Sequence, residues 1–132
     1  MCRAMLDACD HIGMLVMDEL TDMWDKEKNT YDFSDIFEDE YNQWINHMVE
    51  KDYNHPSVVI YSVGNEILEA GTKQGAWINR ILCNKFHELD NTRYTTNALN
   101  GLNCAGRRLG VIMRDVAEKF GMLSHGSGSG GG

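Results

Sequence analysis

The chain has 132 residues, of which 42% are hydrophobic, and its 12 basic side chains against 20 acidic ones give a formal net charge of −8. That balance argues against nucleic acid or an anionic membrane surface as a partner, both of which call for basic patches, and suits a neutral or small substrate. The length allows one modest core, and no stretch approaches the roughly 20 apolar residues of a membrane span.

Met5, Leu6, Cys9 and Ile12 fall on one helical face at the start of the chain, and Gly13 supplies the stop. Met14 to Met17 is a short apolar run bounded by Gly13 and Asp18, which reads as a buried parallel strand. Asp18 to Ser34 is polar and aperiodic and reads as a long loop. Phe37, Tyr41, Trp44, Ile45, Met48 and Val49 then recur at three and four residues, predicting a helix with Ser34 or Asp35 as its N-cap. It must stop before Asn54-His55-Pro56, since proline cannot continue it.

Ser57 to Val63 reads as a second strand running directly into Gly64-Asn65-Glu66. Val58, Ile60, Ser62, Gly64 and Glu66 share one parity, and Val59, Tyr61 and Val63 the other. The first suits a crowded inner face and the second a layer of packed helices, which aims Glu66 at the mouth of the sheet. Ala76, Trp77, Ile78, Ile81, Leu82, Phe86 and Leu89 trace the next helix, closed by Asp90-Asn91, with Trp44 and Trp77 expected in the core. Tyr94 to Leu99 reads as a third strand, with Asn100-Gly101 turning away from it. A weaker helical pattern follows in Val111, Ile112, Val116, Ala117 and Phe120. Residues 1–125 thus form one unit, and Gly126 to Gly132, all glycine and serine, form a tail or linker. Strands alternating with helices at this spacing imply an α/β fold with parallel pairing and right-handed crossovers.

In such a sheet the functional side chains collect at the carboxyl ends of the strands. Asn65 and Glu66 therefore come first, with Asp18 and Glu19 after the first strand and Asn97 and Asn100 beside the third. The plainer reading of Glu66 is the first residue of a helix, stabilised by the helix dipole. Cys2, Cys9, Cys83 and Cys104 show no C-x-x-C pairing and no finger-like spacing with the five histidines. They read as free thiols and point to a reducing, cytoplasmic location. No metal ligand set and no cofactor motif stands out, His55 reads as structural, and no G-x-S-x-G elbow is present.

Three segments carry a resemblance. AMLDACDHIGMLVMDEL, NHPSVVIYSVGNE and HELDNTRYTTNALNG, in this order and spacing, resemble the catalytic barrel of glycoside hydrolase family 2 over roughly Cys2 to Gly101. The resemblance implies a partial (β/α)8 TIM barrel of about three parallel strands, since a complete one takes about 250 residues. It implies a retaining exo-β-glycosidase, most like the β-galactosidases, with Glu66 as the acid/base and Asn65 bonding the sugar 2-hydroxyl. The family's nucleophile, a second glutamate on a later strand, has no matching segment, so the chain by itself is expected to be inactive. Asp18, Glu19, Trp24 and Asn100 become candidate contacts to a carbohydrate substrate. Trp24 could offer a sugar platform or serve as a packing anchor. The acid role requires a Glu66 pKa raised toward neutrality by partial burial or a neighbouring carboxylate. Two open sheet edges predict self-association. The alternative is a non-catalytic β/α module that keeps the motif without turnover.

Overall fold

The computed structural model describes residues 1–98, in which helix and strand alternate throughout. The elements are α1 (Arg3–Ile12), β1 (Val16–Glu19), α2 (Ser34–Asp52), β2 (Val58–Asn65), α3 (Lys73–Leu89) and β3 (Tyr94–Ala98). The strands form one parallel sheet in the order β1-β2-β3, so α2 and α3 are the crossovers that parallel pairing requires. The expected end of β3 at Leu99, the Asn100-Gly101 turn, the helix around Val111 to Phe120 and the Gly126 to Gly132 tail lie outside the described residues.

Local chemistry accounts for the helix boundaries. Gly13 ends α1 in the left-handed region at φ 72°, a conformation open to a residue without Cβ. Leu6 and Cys9 of the predicted apolar face are buried, whereas Met5 and Ile12 remain exposed. Neither Ser34 nor Asp35 caps α2. Asp32 does that work from outside: one carboxylate oxygen accepts from the Ser34 N–H at 2.9 Å and the other from the N–H groups of Lys28 and Asn29. These bonds, Ser34 foremost, hold the Asp32 carboxyl below the usual carboxylate range. Thr72 is the N-cap of α3, its hydroxyl accepting from the Gly75 N–H at 3.0 Å.

Between sheet and helices lies one core containing Leu6, Ile45, Tyr61, Val63, Leu82 and Phe86, and Tyr61 stacks on Phe86 with ring centroids 4.7 Å apart. Three expectations are corrected by this packing. β1 extends through Glu19, two residues past the apolar run, because its burial alternates along Val16, Met17, Asp18 and Glu19. The parity of β2 is broken by register shifts at Val16/Met17 and at Ser62/Asn65. Val58 is therefore buried, Val59 is 42% exposed, and a Cβ on Gly64 would meet Ile67 and the Trp24 indole instead of the open inner face. Trp44 packs against the core as expected, but Trp77 is 55% exposed, because Ile78, Leu82 and Phe86 already present the buried stripe of α3.

Among the described residues no helix lies on the opposite face of the sheet. Met17, Ile60 and Tyr94 lie side by side in register there, followed by Glu19, Ser62 and Thr96. Met17 and Tyr94 are both more than half exposed. Among the described residues β1 and β3 each pair along one edge only, and such edges together with an apolar face are templates for association. The 132-residue chain expressed alone is expected to scatter light as dimers or larger species. A monodisperse monomer with cooperative unfolding would contradict this.

At the amino-terminal ends of the strands Arg93 acts as a clamp. Its Nε donates to the Val58 carbonyl at 2.6 Å, its Nη2 to the carbonyls of His55 at 2.9 Å and Tyr53 at 3.1 Å, and its Nη1 to the fully buried Asp90. One side chain thus joins the end of α2, the start of β2 and the start of β3.

Candidate active site

Glu66 follows the last residue of β2, at the carboxyl edge of the sheet, and α3 begins only at Lys73. The helix-terminus reading of Glu66 therefore does not hold. Its backbone sits at φ 47°, an uncommon conformation for a residue with a Cβ and one worth about 1–3 kcal/mol of strain. The Glu66 N–H donates to the Ala98 carbonyl at 2.7 Å, which fixes the position beside the end of β3. The side chain is exposed, so the expected partial burial is not provided by the described residues.

Asn65 stands next to it with its side chain half committed. Nδ2 donates to Asp22 Oδ1 at 2.9 Å, leaving the amide oxygen and a second N–H without a partner among the described residues. That remainder can both donate and accept, which is what recognition of a hydroxyl requires. Asp22 also pairs with Lys28 at 3.1 Å, and Lys28 Nζ donates to the Asn65 carbonyl at 2.6 Å. The hydrogen bond from Asn65 and the pairing with Lys28 hold the Asp22 carboxyl below its usual range.

Neither Asp22 nor Lys28 was expected at the site from sequence. Asp22, Trp24, Lys26 and Lys28, at alternate positions, all reach β2 or the loop after it: Trp24 Nε1 donates to the Val63 carbonyl at 3.0 Å, and the Lys26 N–H to Glu69 Oε1 at 2.7 Å. Nothing in the local pattern of this loop marks Asp22 or Lys28, because the groups they bond lie 43 and 37 residues further along the chain.

The remaining candidates divide. Glu19 is exposed at the carboxyl end of β1, in register with Ser62, and its Oε2 accepts from the Ser62 hydroxyl at 3.0 Å. Asp18 is not exposed, because its place inside β1 turns it toward the helices, where Lys51 Nζ pairs with it at 2.6 Å. Burial pushes its carboxyl up, and Lys51 together with the Met1 ammonium more than offsets that, leaving it below the ordinary range. The same lysine pairs with Asp52, whose burial raises its pKa. Trp24 is a packing anchor and not a platform, since it is 1% exposed and belongs to the core. Asn97 turns away from the cleft and donates to Asn79 of α3 at 3.2 Å. Asn100 lies outside the described residues.

Glu69 is fully buried beneath the loop after β2, with Oε2 unpartnered among the described residues. Its carbonyl is packed so closely against α3 that a Cβ on Gly75 would come within 2.3 Å of it. At the far end of β2, His55 Nδ1 lies 2.7 Å from Asp10 Oδ2, and Asp10 Oδ1 accepts from the Ser57 N–H at 2.8 Å. Asp7, Asp10 and His55 bring ligand-type atoms within 4.8 Å of one another. Ser57 and then His55 hold the Asp10 carboxyl below its usual range against the effect of burial, so these groups already serve as a joint between α1 and the entrance to β2.

A strand delivering Asn-Glu to the open edge of a parallel sheet, backed by helices, is where comparison with known proteins becomes decisive. Residues 2–120 match the family model for the TIM barrel domain of glycosyl hydrolases family 2. The chain belongs to family 2 of the glycosyl hydrolases. Its three-stranded parallel sheet is accordingly a partial α/β TIM barrel. Over 65 residues, 49% of this family 2 chain, it is 45% identical to the β-galactosidase BoGH2A of Bacteroides ovatus. Among solved structures, a family 2 glycosyl hydrolase from Bacteroides cellulosilyticus matches 76% of the chain with a TM-score of 0.73 and 38% identity. A β-glycosidase from Bacteroides vulgatus matches 85% with a TM-score of 0.68 and 27% identity. The matched region spans 8% of the Bacteroides ovatus enzyme and 13% and 16% of the two solved chains.

Proposed function

We propose that this chain supplies the acid/base half of the active site of a retaining exo-β-glycosidase, with a terminal β-galactoside as the substrate class. The observation that carries the reading is Glu66 at the carboxyl edge of β2 in a left-handed backbone conformation, beside an Asn65 whose amide oxygen and second N–H have no partner among the described residues. The identity to a β-galactosidase supports the choice of sugar.

In the first step a carboxylate nucleophile on a later strand of the complete barrel forms a bond to the anomeric carbon. The glycosidic bond breaks, and the departing oxygen takes the proton of Glu66. In the second step Glu66, now ionised, takes a proton from water, whose oxygen displaces the carboxylate and restores Glu66 to its acid form. The two carboxyl groups must then stand about 5–5.5 Å apart across the cleft. Asn65 accompanies both steps by bonding the 2-hydroxyl, a contact that strengthens as positive charge develops at the adjacent carbon. Glu19, exposed and bonded to Ser62, is the candidate to bind a further sugar hydroxyl. The free thiols Cys2, Cys9 and Cys83 support a reducing, cytoplasmic location.

The test is turnover of an aryl β-galactoside. The complete barrel enzyme should hydrolyse it with retention, and the 132-residue chain alone should show no turnover above its Glu66→Gln control. Hydrolysis by the isolated chain that Glu66→Gln abolishes would mean that a nucleophile lies within it, with the exposed Glu19 the first to replace. Absence of activity in the complete enzyme would instead favour the non-catalytic β/α module.

A further inference from the structure

We propose that Lys28 is a positioning residue for Glu66, acting through the Asn65–Glu66 peptide; the inference rests on the acid/base reading of Glu66. That peptide is gripped at both of its polar groups. Lys28 Nζ donates to its carbonyl oxygen at 2.6 Å, and its N–H donates to the Ala98 carbonyl at 2.7 Å. The grip has something to oppose, since a glutamate at φ 47° has lower-energy backbone conformations available to it. Rotation of the peptide toward one of them would swing the carboxyl away from its place at the end of β2.

Lys28 is itself held in place. Its side chain is only 15% exposed, although a lysine paired with a surface carboxylate alone would keep its ammonium in water. Asp22 Oδ1 accepts from both Lys28 Nζ and Asn65 Nδ2, so one oxygen registers the lysine against the Asn65 side chain. The Lys28 backbone is fixed through its N–H to Asp32 at 2.6 Å. The ties from Trp24 to the Val63 carbonyl and from Lys26 to Glu69 anchor the segment on either side of the Asn65–Glu66 peptide. The loop after β1 is therefore a splint for the acid/base, and the Lys28 ammonium is its contact with the peptide that carries Glu66.

Loss of this contact should appear in the step that depends on where the Glu66 proton sits. In the complete barrel enzyme, kcat/KM, which reports the first and acid-assisted step, is to be measured for aryl β-glycosides of graded leaving-group acidity in wild type, Lys28→Met, Lys28→Arg and Glu66→Gln, with the unfolding temperature of each. Lys28→Met is expected to lower kcat/KM about 10- to 100-fold on the poorest leaving groups, the scale on which a misplacement of an ångström acts, with little change on the best ones. Folding should stay near wild type, and Lys28→Arg, which keeps a donor and the charge, should recover most of the loss. If Lys28→Met does not fold, Asp22→Asn at an exposed position carries the same test, with a smaller loss of the same leaving-group bias. Equal loss across the series, loss that follows the unfolding temperature, or no loss would overturn the role of Lys28 while a biased Glu66→Gln leaves the acid/base reading intact. A Glu66→Gln enzyme without leaving-group bias would overturn that reading and this inference with it.

Discussion

Replacing Glu66 by glutamine in the complete barrel enzyme is expected to lower turnover of substrates with poor leaving groups by about 10²–10⁴-fold, the usual worth of positioned acid/base catalysis. Glutamine preserves size and hydrogen bonding but has no acidic proton to give and cannot accept one from water. The two halves of the reaction should therefore separate. A leaving group that is already a stable anion departs without protonation, so formation of the glycosyl-enzyme survives while its hydrolysis, which needs the base, becomes limiting. Rapid mixing with such a substrate should show a burst of released phenol followed by slow turnover, with kcat and KM falling together. The same loss for every leaving group, with no burst, would indicate that Glu66 does something other than move a proton.

The second large effect lies at the other end of the strands. Arg93→Met removes the charged partner of the fully buried Asp90 and the bonds that Arg93 donates to the Val58, His55 and Tyr53 carbonyls, of which His55 keeps the Val58 N–H. Breaking one side of a buried pair costs about 3–5 kcal/mol, a large share of a domain's stability. Chemical denaturation should register that loss, and Arg93→Met with Asp90→Asn should recover part of it, because no unpaired charge then stays buried. The pH dependence follows from Asp90. Burial would raise its carboxyl, but the bonds from Thr92 and Arg93 prevail and hold it at about 2, below its ordinary 3.8. A depressed folded-state pKa contributes stability above the unfolded value and loses it as pH falls through the folded one. Wild type should therefore lose this contribution between about pH 4 and 2, and the Arg93→Met variant, in which the guanidinium no longer holds Asp90 down, should lose less over that range. An acid limb of unchanged depth would contradict the assignment of the clamp.

Much of this architecture was legible in the sequence, and the parts that were not share a cause. The proline at position 56, the apolar run of β2 and the helical spacing of α2 and α3 are local signals, and they placed the elements correctly. Asp18 was misread because the cation that lets it sit inside β1 is Lys51, 33 residues away. Gly64 and Val59 were assigned to the wrong sides because register shifts in β2 depend on its neighbours and leave no mark on its own alternation. The position of Asn65 and Glu66 was readable because the end of a strand is a defined place. The splint formed by Asp22 and Lys28 was not, since an aperiodic segment does not reveal which of its side chains turn inward.

Chemical rescue of Glu66→Ala tests most directly whether Glu66 is the acid/base. With an activated aryl β-galactoside and added azide, the variant should recover turnover, because azide attacks the glycosyl-enzyme without needing a base. The product should be the β-configured galactosyl azide, the outcome of two inversions. An α-configured azide, formed by a single inversion on the substrate itself, would identify Glu66 as the nucleophile and contradict the account.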